Sequence, residues 1–354
     1  DRYAPLQSCR EAEGGVGGED GAGGTVVIVG GTVTATGDIN GAGIGGGYCG
    51  RGGEVIVLGG TVTATGGKNA SGIGCGYPTA DGGAVTINDG RIKAVGDGYG
   101  VDLAGRVELS GGIFGMTVAP DWLGDGYCAV ANPDAETKED YPYAVVPLFT
   151  VTVPAVGGAT VSVTTNGAAA TDFAGGELVV PLGTKVTVDY TETEGWTLRG
   201  ETHFEATVVS DLRLPAEGHE PTAFWQTTYL APETNEVGEI TFVERGTNAL
   251  IVTEATDKLE NGWYVVTGTV SRAGLDLPAN VTANLILADG ASLMVTGCSH
   301  GAGIDIRLGE TLNIYGQQLG TGRLMATGGE YGAGIGSGYD SNGGAVTING
   351  GSVT

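Results

Sequence analysis

The chain has 354 residues, of which 69 are glycine, 41 % are hydrophobic and only 16 % are charged. This composition supplies enough apolar side chains for packed cores and lacks the triplet period of collagen, which excludes a disordered tail and a collagen-like fibre. A formal charge of −25 would repel phosphate backbones and anionic lipid surfaces. We therefore expect no nucleic-acid partner, and no membrane insertion in this segment because no run of 18 apolar residues is present.

A 29-residue repeat dominates the amino-terminal third. The motif Gly-Thr-Val-Thr-Ala-Thr-Gly occurs at residues 31–37 and again at 60–66, and a looser copy covers 90–96. Each period holds three short β-type segments between glycine turns, which predicts one three-sided coil of a β-solenoid. Alternation places the threonines outside. The predicted inward side chains are Val26, Ile28, Val33, Ala35, Val55, Val57, Val62, Ala64, Val85 and Ile87.

Glycines flank a single isoleucine in each coil, at Gly43 and Gly45 and again at Gly72 and Gly74. This pattern predicts corners where the backbones of neighbouring coils lie close together or adopt positive φ. Larger side chains at these positions should clash between coils.

The predicted fold class is all-β, with Gly-rich β-helix (solenoid) segments flanking a small β-sandwich or β-grasp-like domain. Residues 1–145 are expected to form a solenoid with a carboxy-terminal cap and linker, residues 146–216 a small β spacer, and residues 217–235, which contain Pro and Glu, a second linker. Residues 236–354 are expected to be the capped start of a second solenoid. The longer apolar runs at 239–243, 263–268 and 284–288 are predicted to supply that cap.

The chain stops in the middle of a repeat motif and begins without a Met or signal peptide. One interpretation is a slice from a longer tandem array, produced by processing or trimming. The other is a subunit whose open solenoid ends stack head to tail on another copy.

Five cysteines show no Cys-x-x-Cys pair and no zinc-type spacing with the three histidines. Cys49 and Cys75 lie 26 residues apart, slightly less than one repeat, which would allow them to face each other on adjacent coils as a disulfide. Two small buried thiols are the alternative.

The motifs at 263–268, 284–290 and 312–316, with the GAGIG and GGAVTINGG units, resemble the pectin-lyase-like β-helix repeats of large surface proteins of gut and other anaerobic bacteria. Such proteins are adhesin-like and often described as carbohydrate-binding. Residues 149–198 are similar to the divergent InlB-type bacterial repeat. Both resemblances imply an extracellular, cell-surface location, and neither transfers a catalytic residue.

An enzyme would need paired carboxylates, or carboxylates with Arg or Lys, on one external face. The candidates are Asp97, Asp102 and Arg106, and separately Asp305 with Arg307. Solvated polar positions at coil edges explain these residues equally well, so we expect a protein that is not an enzyme; a polysaccharide-degrading activity is the less favoured alternative.

Glycan binding would use exposed aromatic rings. Tyr48 and Tyr77 are 29 residues apart and should stack on adjacent coils, and Tyr339 occupies the matching position near the carboxy end. The expected partner is an extracellular glycan or a host or cell-surface protein. The alternatives are structural tyrosines in a stalk or fibre without a specific ligand, and a threonine face similar to that of ice-binding solenoids.

No cofactor is expected beyond weak calcium binding. Acidic Gly-rich turns that contain Glu19, Asp20 and Asp97 echo calcium-binding turns, but the strict Gly-Gly-x-Gly-x-Asp nonapeptide repeat is absent.

Overall fold

A computed structural model describes residues 23–78, 81–98 and 100–354. Within these ranges the chain is all-β, as predicted, and the one helical turn is a short 3-10 helix at Pro120–Trp122. Two compact units are present, one containing the first solenoid and the other the second. No helix in the described ranges is long and apolar enough to span a bilayer.

The first solenoid consists of short strands that stack in parallel on their counterparts one coil away. Strands β1, β4, β7 and β9 form one sheet, β2, β5, β8 and β10 a second, and β3 with β6 a third. Thr32 lies opposite Thr61, so the 29-residue repeat is the register of the sheet. The strands are β1 (Thr25–Ile28), β2 (Thr32–Thr36), β3 (Ile44–Gly45), β4 (Glu54–Val57), β5 (Thr61–Thr65), β6 (Ile73–Gly74), β7 (Ala84–Ile87), β8 (Arg91–Val95), β9 (Arg106–Leu109) and β10 (Ile113–Phe114).

The core of the first solenoid contains the side chains that alternation directs inward. Those of the second and third coils are completely buried, and Val26, Val33 and Ala35 of the first coil pack partly buried against them. Because every inward position is apolar and recurs in register, each coil buries the core of its neighbour. The residues with no exposed surface are Val55, Val57, Val62, Ala64, Val85 and Ile87.

The glycine corners bring neighbouring backbones into close contact. A Cβ atom on Gly43 would lie 2.7 Å from the carbonyl oxygen of Gly72 and 2.8 Å from the backbone nitrogen of Thr65. Gly45 adopts φ of 132°, in the region that favours glycine. The predicted close approach at these corners is confirmed.

The first solenoid ends where antiparallel pairing replaces parallel stacking. Strand β11 (Tyr127–Ala131) pairs antiparallel with β12 (Tyr143–Thr152), and β12 pairs antiparallel with β10. The predicted linker between them is instead an ordered loop, because buried Asn132 donates hydrogen bonds to the Thr137 hydroxyl and the Tyr141 carbonyl. Strand β12 also crosses the predicted boundary at residues 145 and 146.

The middle segment contains strands and no helix among its residues. Strand β12 continues into it and pairs antiparallel with β15, with Phe149 opposite Val180. The segment is therefore a β spacer by its secondary structure. Its strands are β13 (Ala159–Thr165), β14 (Ala168–Ala169), β15 (Glu177–Pro181), β16 (Lys185–Glu192), β17 (Trp196–Arg199), β18 (His203–Thr207) and β19 (Leu212–Arg213).

The imidazole of His203 is expected to titrate above its ordinary value of 6.5. Its Nδ1 atom lies 2.6 Å from Oδ1 of Asp189, and this hydrogen bond raises the pKa of His203. A raised pKa in the folded state stabilises the protein below pH 6.5, and that contribution is lost as the pH rises through the folded-state pKa. An NMR titration of the His203 ring should show the raised pKa, and Asp189→Asn should return it towards 6.5. An unchanged pKa in that variant would contradict this assignment.

The predicted linker at residues 217–235 requires correction, because Thr222–Thr234 forms the thirteen-residue strand β20. It pairs antiparallel with β21 (Ile240–Ile251) over ten residues, from Trp225 opposite Ala249 to Thr234 opposite Ile240. Alternating polar and apolar side chains suit this pairing, since one face of β20 covers apolar residues and the other meets solvent.

The second solenoid repeats the three-sheet arrangement. Strands β22, β25, β28 and β31 extend one parallel sheet from β21, while β23, β26, β29 and β32 form another and β24, β27 and β30 the third. The strands are β22 (Gly262–Val266), β23 (Thr269–Ala273), β24 (Leu275–Asp276), β25 (Thr282–Leu287), β26 (Ser292–Thr296), β27 (Ile304–Asp305), β28 (Thr311–Gly316), β29 (Arg323–Thr327), β30 (Ile335–Gly336), β31 (Ala345–Ile348) and β32 (Ser352–Val353).

The prediction that three apolar runs cap this solenoid was wrong for two of them. Strands β22 and β25 are coil strands, and their continuous hydrophobic character reflects burial on both faces. Inside lies the solenoid core. Outside, Tyr229 of β20 packs against Trp263 and Tyr315 with ring centroids 4.3 and 4.9 Å away, and these rings adjoin buried Val265 and Ile286.

Candidate functional site

One corner of each solenoid contains a non-glycine residue in the left-handed backbone region. In the first solenoid these residues are Asn40 and Asn69, with φ of 64° and 69°. In the second they are His300 and Tyr331, with φ of 66° and 67°. Each immediately precedes the glycine corner, and the N–H of one coil donates to a carbonyl of the next, as from Asn40 to Lys68 and from His300 to Glu330. The two solenoids therefore share one corner geometry.

A tyrosine follows eight residues after the left-handed residue in three of these coils, at Tyr48, Tyr77 and Tyr339. The N–H of Tyr77 donates to the carbonyl of Asn40 at 2.9 Å, and the N–H of Tyr339 donates to the carbonyl of His300 at the same distance. The structure thus places the sequence-predicted tyrosines at equivalent corners. Their exposed fractions are 46, 37 and 63 % respectively.

The corner of the second solenoid carries three aromatic rings in mutual contact. His300 and Tyr331 stack with centroids 5.5 Å apart and an interplanar angle of 28°. Tyr339 meets His300 edge to face at 5.7 Å and Tyr331 at 6.0 Å. All three residues are exposed. We call His300, Tyr331 and Tyr339 the aromatic triad.

The sequence analysis included Tyr339 but missed the other two members of the triad. The signal was the eight-residue spacing, since Tyr331 precedes Tyr339 as Asn69 precedes Tyr77. In the first solenoid the corresponding asparagines face each other as amides, with Nδ2 of Asn69 3.4 Å from Oδ1 of Asn40. The same backbone thus presents amides in one solenoid and aromatic rings in the other.

A separate open groove of about 350 Å³ lies at a turn of the first solenoid. The turn glycines Gly60 and Gly90 leave it free of bulky side chains, while Thr61, Asp89 and Arg91 supply polar groups. Oδ1 of Asp89 accepts the N–H of Gly90 at 2.7 Å, so this carboxylate also closes its own turn.

The candidate catalytic groups make local structural contacts. Oδ1 of Asp102 accepts the N–H of Gly96 at 3.1 Å. Within the described residues, no hydrogen bond or ion pair joins Asp97, Asp102 and Arg106. The structure does bring Asp305 and Arg307 together, with Arg307 donating two hydrogen bonds at 3.0 and 2.7 Å to Oδ2 of Asp305.

The Asp305 carboxylate has a second feature of interest, because its Oδ1 atom is buried and has no hydrogen-bond partner among the described groups. Buried Glu310 lies near the same turn and accepts the backbone N–H of Arg307 at 2.6 Å. The Arg307 guanidinium neutralises Asp305, which holds that carboxylate in its charged form.

The calcium prediction falls partly outside the described residues, where Glu19 and Asp20 lie. Asp97 is exposed, and its N–H donates to the carbonyl of Ala70 at 3.1 Å. Across residues 23–78, 81–98 and 100–354, no group of three His, Cys, Asp or Glu side chains is arranged to hold a metal ion.

The predicted disulfide between Cys49 and Cys75 is not formed, since both are free thiols. Ile44 lies opposite Ile73, and this register places Gly46 rather than Cys49 opposite Cys75. A spacing of 26 residues is three short of the repeat, so Cys75 is buried while Cys49 is exposed.

Thiol labelling should distinguish these cysteines. Exposed Cys49 and Cys298 are expected to react with an alkylating reagent more than about tenfold faster than buried Cys75, because the reagent must reach the thiolate. Timed alkylation followed by peptide mass spectrometry measures each site separately. A peptide pair linked through Cys49 and Cys75 in a non-reduced digest would contradict the assignment.

The comparisons with known proteins agree with the fold. Residues 26–48 and 55–77 match the family described as Beta helix repeat, and these two segments fall in successive coils of the first solenoid. Searches of curated proteins and of solved structures each gave no match. The repeat match and the stacked parallel strands define a β-helix repeat protein.

Proposed function

We propose that this β-helix repeat protein is a non-catalytic, extracellular surface protein that binds glycans through aromatic side chains at its solenoid corners. One observation carries the proposal: Tyr77 and Tyr339 occupy equivalent hydrogen-bonded positions in two separate solenoids, and both are exposed. Exposed rings at fixed spacing can pack against the apolar faces of sugars.

The non-catalytic part of the proposal draws support from the roles of the candidate acidic groups. Asp102 closes a turn through the N–H of Gly96, and Asp305 is paired with Arg307. Each carboxylate thus has a local partner that accounts for its position. A polysaccharide-degrading enzyme is the alternative, and release of any product from polygalacturonate, mucin glycans or hyaluronan would favour it.

A second candidate function is a structural stalk or fibre without a specific ligand. The continuous parallel ladders favour it, since a solenoid is stabilised by its own coil stacking and needs no ligand to fold. The two functions differ in one measurable property: a stalk predicts no saturable partner.

Binding to immobilised glycans tests the proposal. We expect saturable binding by the folded full chain, and a large loss when Tyr77 and Tyr339 are both changed to Ala. The matched control is Phe242→Ala, because Phe242 is an aromatic residue with an exposed fraction of 53 % on β21, away from the corners. Equal losses in both variants, or binding that never saturates, would overturn the proposal.

A further inference from the structure

The aromatic triad combines exposure with an unfavourable backbone conformation. Tyr331 adopts φ of 67° while its exposed fraction is 68 %, so no core packing compensates the strain. The equivalent position in the first solenoid is Asn69, a residue type that tolerates this conformation. Strained residues of this kind concentrate at functional sites, and the second solenoid therefore carries the more specialised corner.

The geometry of the triad suits one sugar ring. His300 and Tyr331 are nearly parallel, at 28°, and come from adjacent coils. Tyr339 stands at 82° to the first ring and 68° to the second. Two faces and one upright ring within 6.0 Å of each other offer an aromatic surface with an edge against which a pyranose can be oriented.

The charges around the triad select among sugars. Glu330 directly precedes Tyr331, Asp340 directly follows Tyr339, and both acidic residues are exposed. In the part of the chain that the structure describes, neither carboxylate forms an ion pair. Together with the formal charge of −25, they disfavour uronic acids, sialic acids and sulfated sugars, while carboxylate oxygens accept hydrogen bonds from sugar hydroxyls.

We infer that His300, Tyr331 and Tyr339 form a binding platform for a pyranose sugar that carries no acidic group. This inference rests on the proposed function and specifies its site and ligand class. The sugar packs its apolar face on the stacked rings, and its hydroxyl groups donate to the flanking carboxylates. The corner of the first solenoid, with Asn40 and Asn69 in place of the stacked rings, contributes less.

The test uses the folded full chain and two probe sets on a titration format. One set holds neutral tetrasaccharides of glucose, galactose, mannose or N-acetylglucosamine, and the other holds hyaluronan, sialylated and sulfated oligosaccharides. Tyr331→Asn and His300→Asn copy the residues of the first solenoid and suit the backbone conformation. We expect each to weaken binding to the neutral probe by about tenfold or more, with the melting temperature within about 3 °C of the parent chain.

The control is Tyr48→Asn, expected to weaken binding by less than about threefold, in line with substitutions outside an energetic hot spot. Full affinity in both Tyr331→Asn and His300→Asn would overturn the inference while leaving glycan binding intact. Preference for acidic probes would overturn the ligand class. Absence of binding to every probe would overturn the proposed function itself.

A second measurement does not depend on variant folding. Titration of the parent chain with the best neutral probe should shift the NMR ring resonances of Tyr331 and Tyr339. Saturable binding without any shift of these resonances would contradict the inference.

Discussion

Leu285→Ala is expected to lower the free energy of unfolding by about 2–5 kcal/mol. Leu285 has no exposed surface, and its neighbours in the parallel ladder are Tyr264 on one coil and Ile314 on the next. Truncation to Ala would leave a cavity that the rigid ladder cannot collapse to fill. Urea unfolding followed by far-ultraviolet circular dichroism measures the change.

Leu319→Ala is the matched control, because Leu319 is a leucine of the same solenoid with an exposed fraction of 76 %. Its backbone N–H donates to Asp289, a bond that alanine retains. We expect a change within about 0.5 kcal/mol. Similar losses in the two variants would contradict the placement of Leu285 in a core.

Gly43→Ala is expected to destabilise the first solenoid by about 1–3 kcal/mol, the usual cost of overpacking. The new Cβ would lie 2.7 Å from the carbonyl oxygen of Gly72 and within 2.9 Å of two backbone atoms of Thr65. Backbone atoms cannot rotate away as a side chain does, so neighbouring coils must separate. Chemical unfolding of the full chain measures the loss.

Gly30→Ala serves as its control. Gly30 lies at a turn of the same solenoid, and a Cβ there would meet no atom within 4 Å. We expect its stability to stay within about 0.5 kcal/mol of the parent chain. If Gly43→Ala behaved like this control, coil contact at the glycine corner would be refuted.

The periodic features of the fold were predictable from sequence. A shift of one repeat aligned Thr32 with Thr61, and strict alternation then identified buried residues such as Val62 and Ala64. These predictions succeeded because the pairing is local: each coil stacks on the next one, so one register determines all three sheets.

Features that depend on contacts outside the coil ladder were not predictable. Strand β20 had the composition of a linker, and its order comes from β21 and from the rings of Trp263 and Tyr315. The aromatic triad was missed because the second solenoid is less regular. Ile304 lies opposite Ile335, a shift longer than the 29 residues of the first solenoid, so equivalent positions fall out of the simple period.

The disulfide prediction failed for a related reason. A spacing close to the repeat does not place two side chains together, because a displacement of three residues along a coil changes which way a side chain points. Cys75 lies inside the solenoid, whereas Cys49 lies at its surface.

A glycan-array screen of the folded full chain, with heat-denatured protein as the control, tests the central claim most directly. Saturable hits among non-acidic glycans that disappear on denaturation are the predicted result. A blank array from folded protein, or hits confined to acidic glycans, would contradict the account and favour a structural stalk or a different ligand.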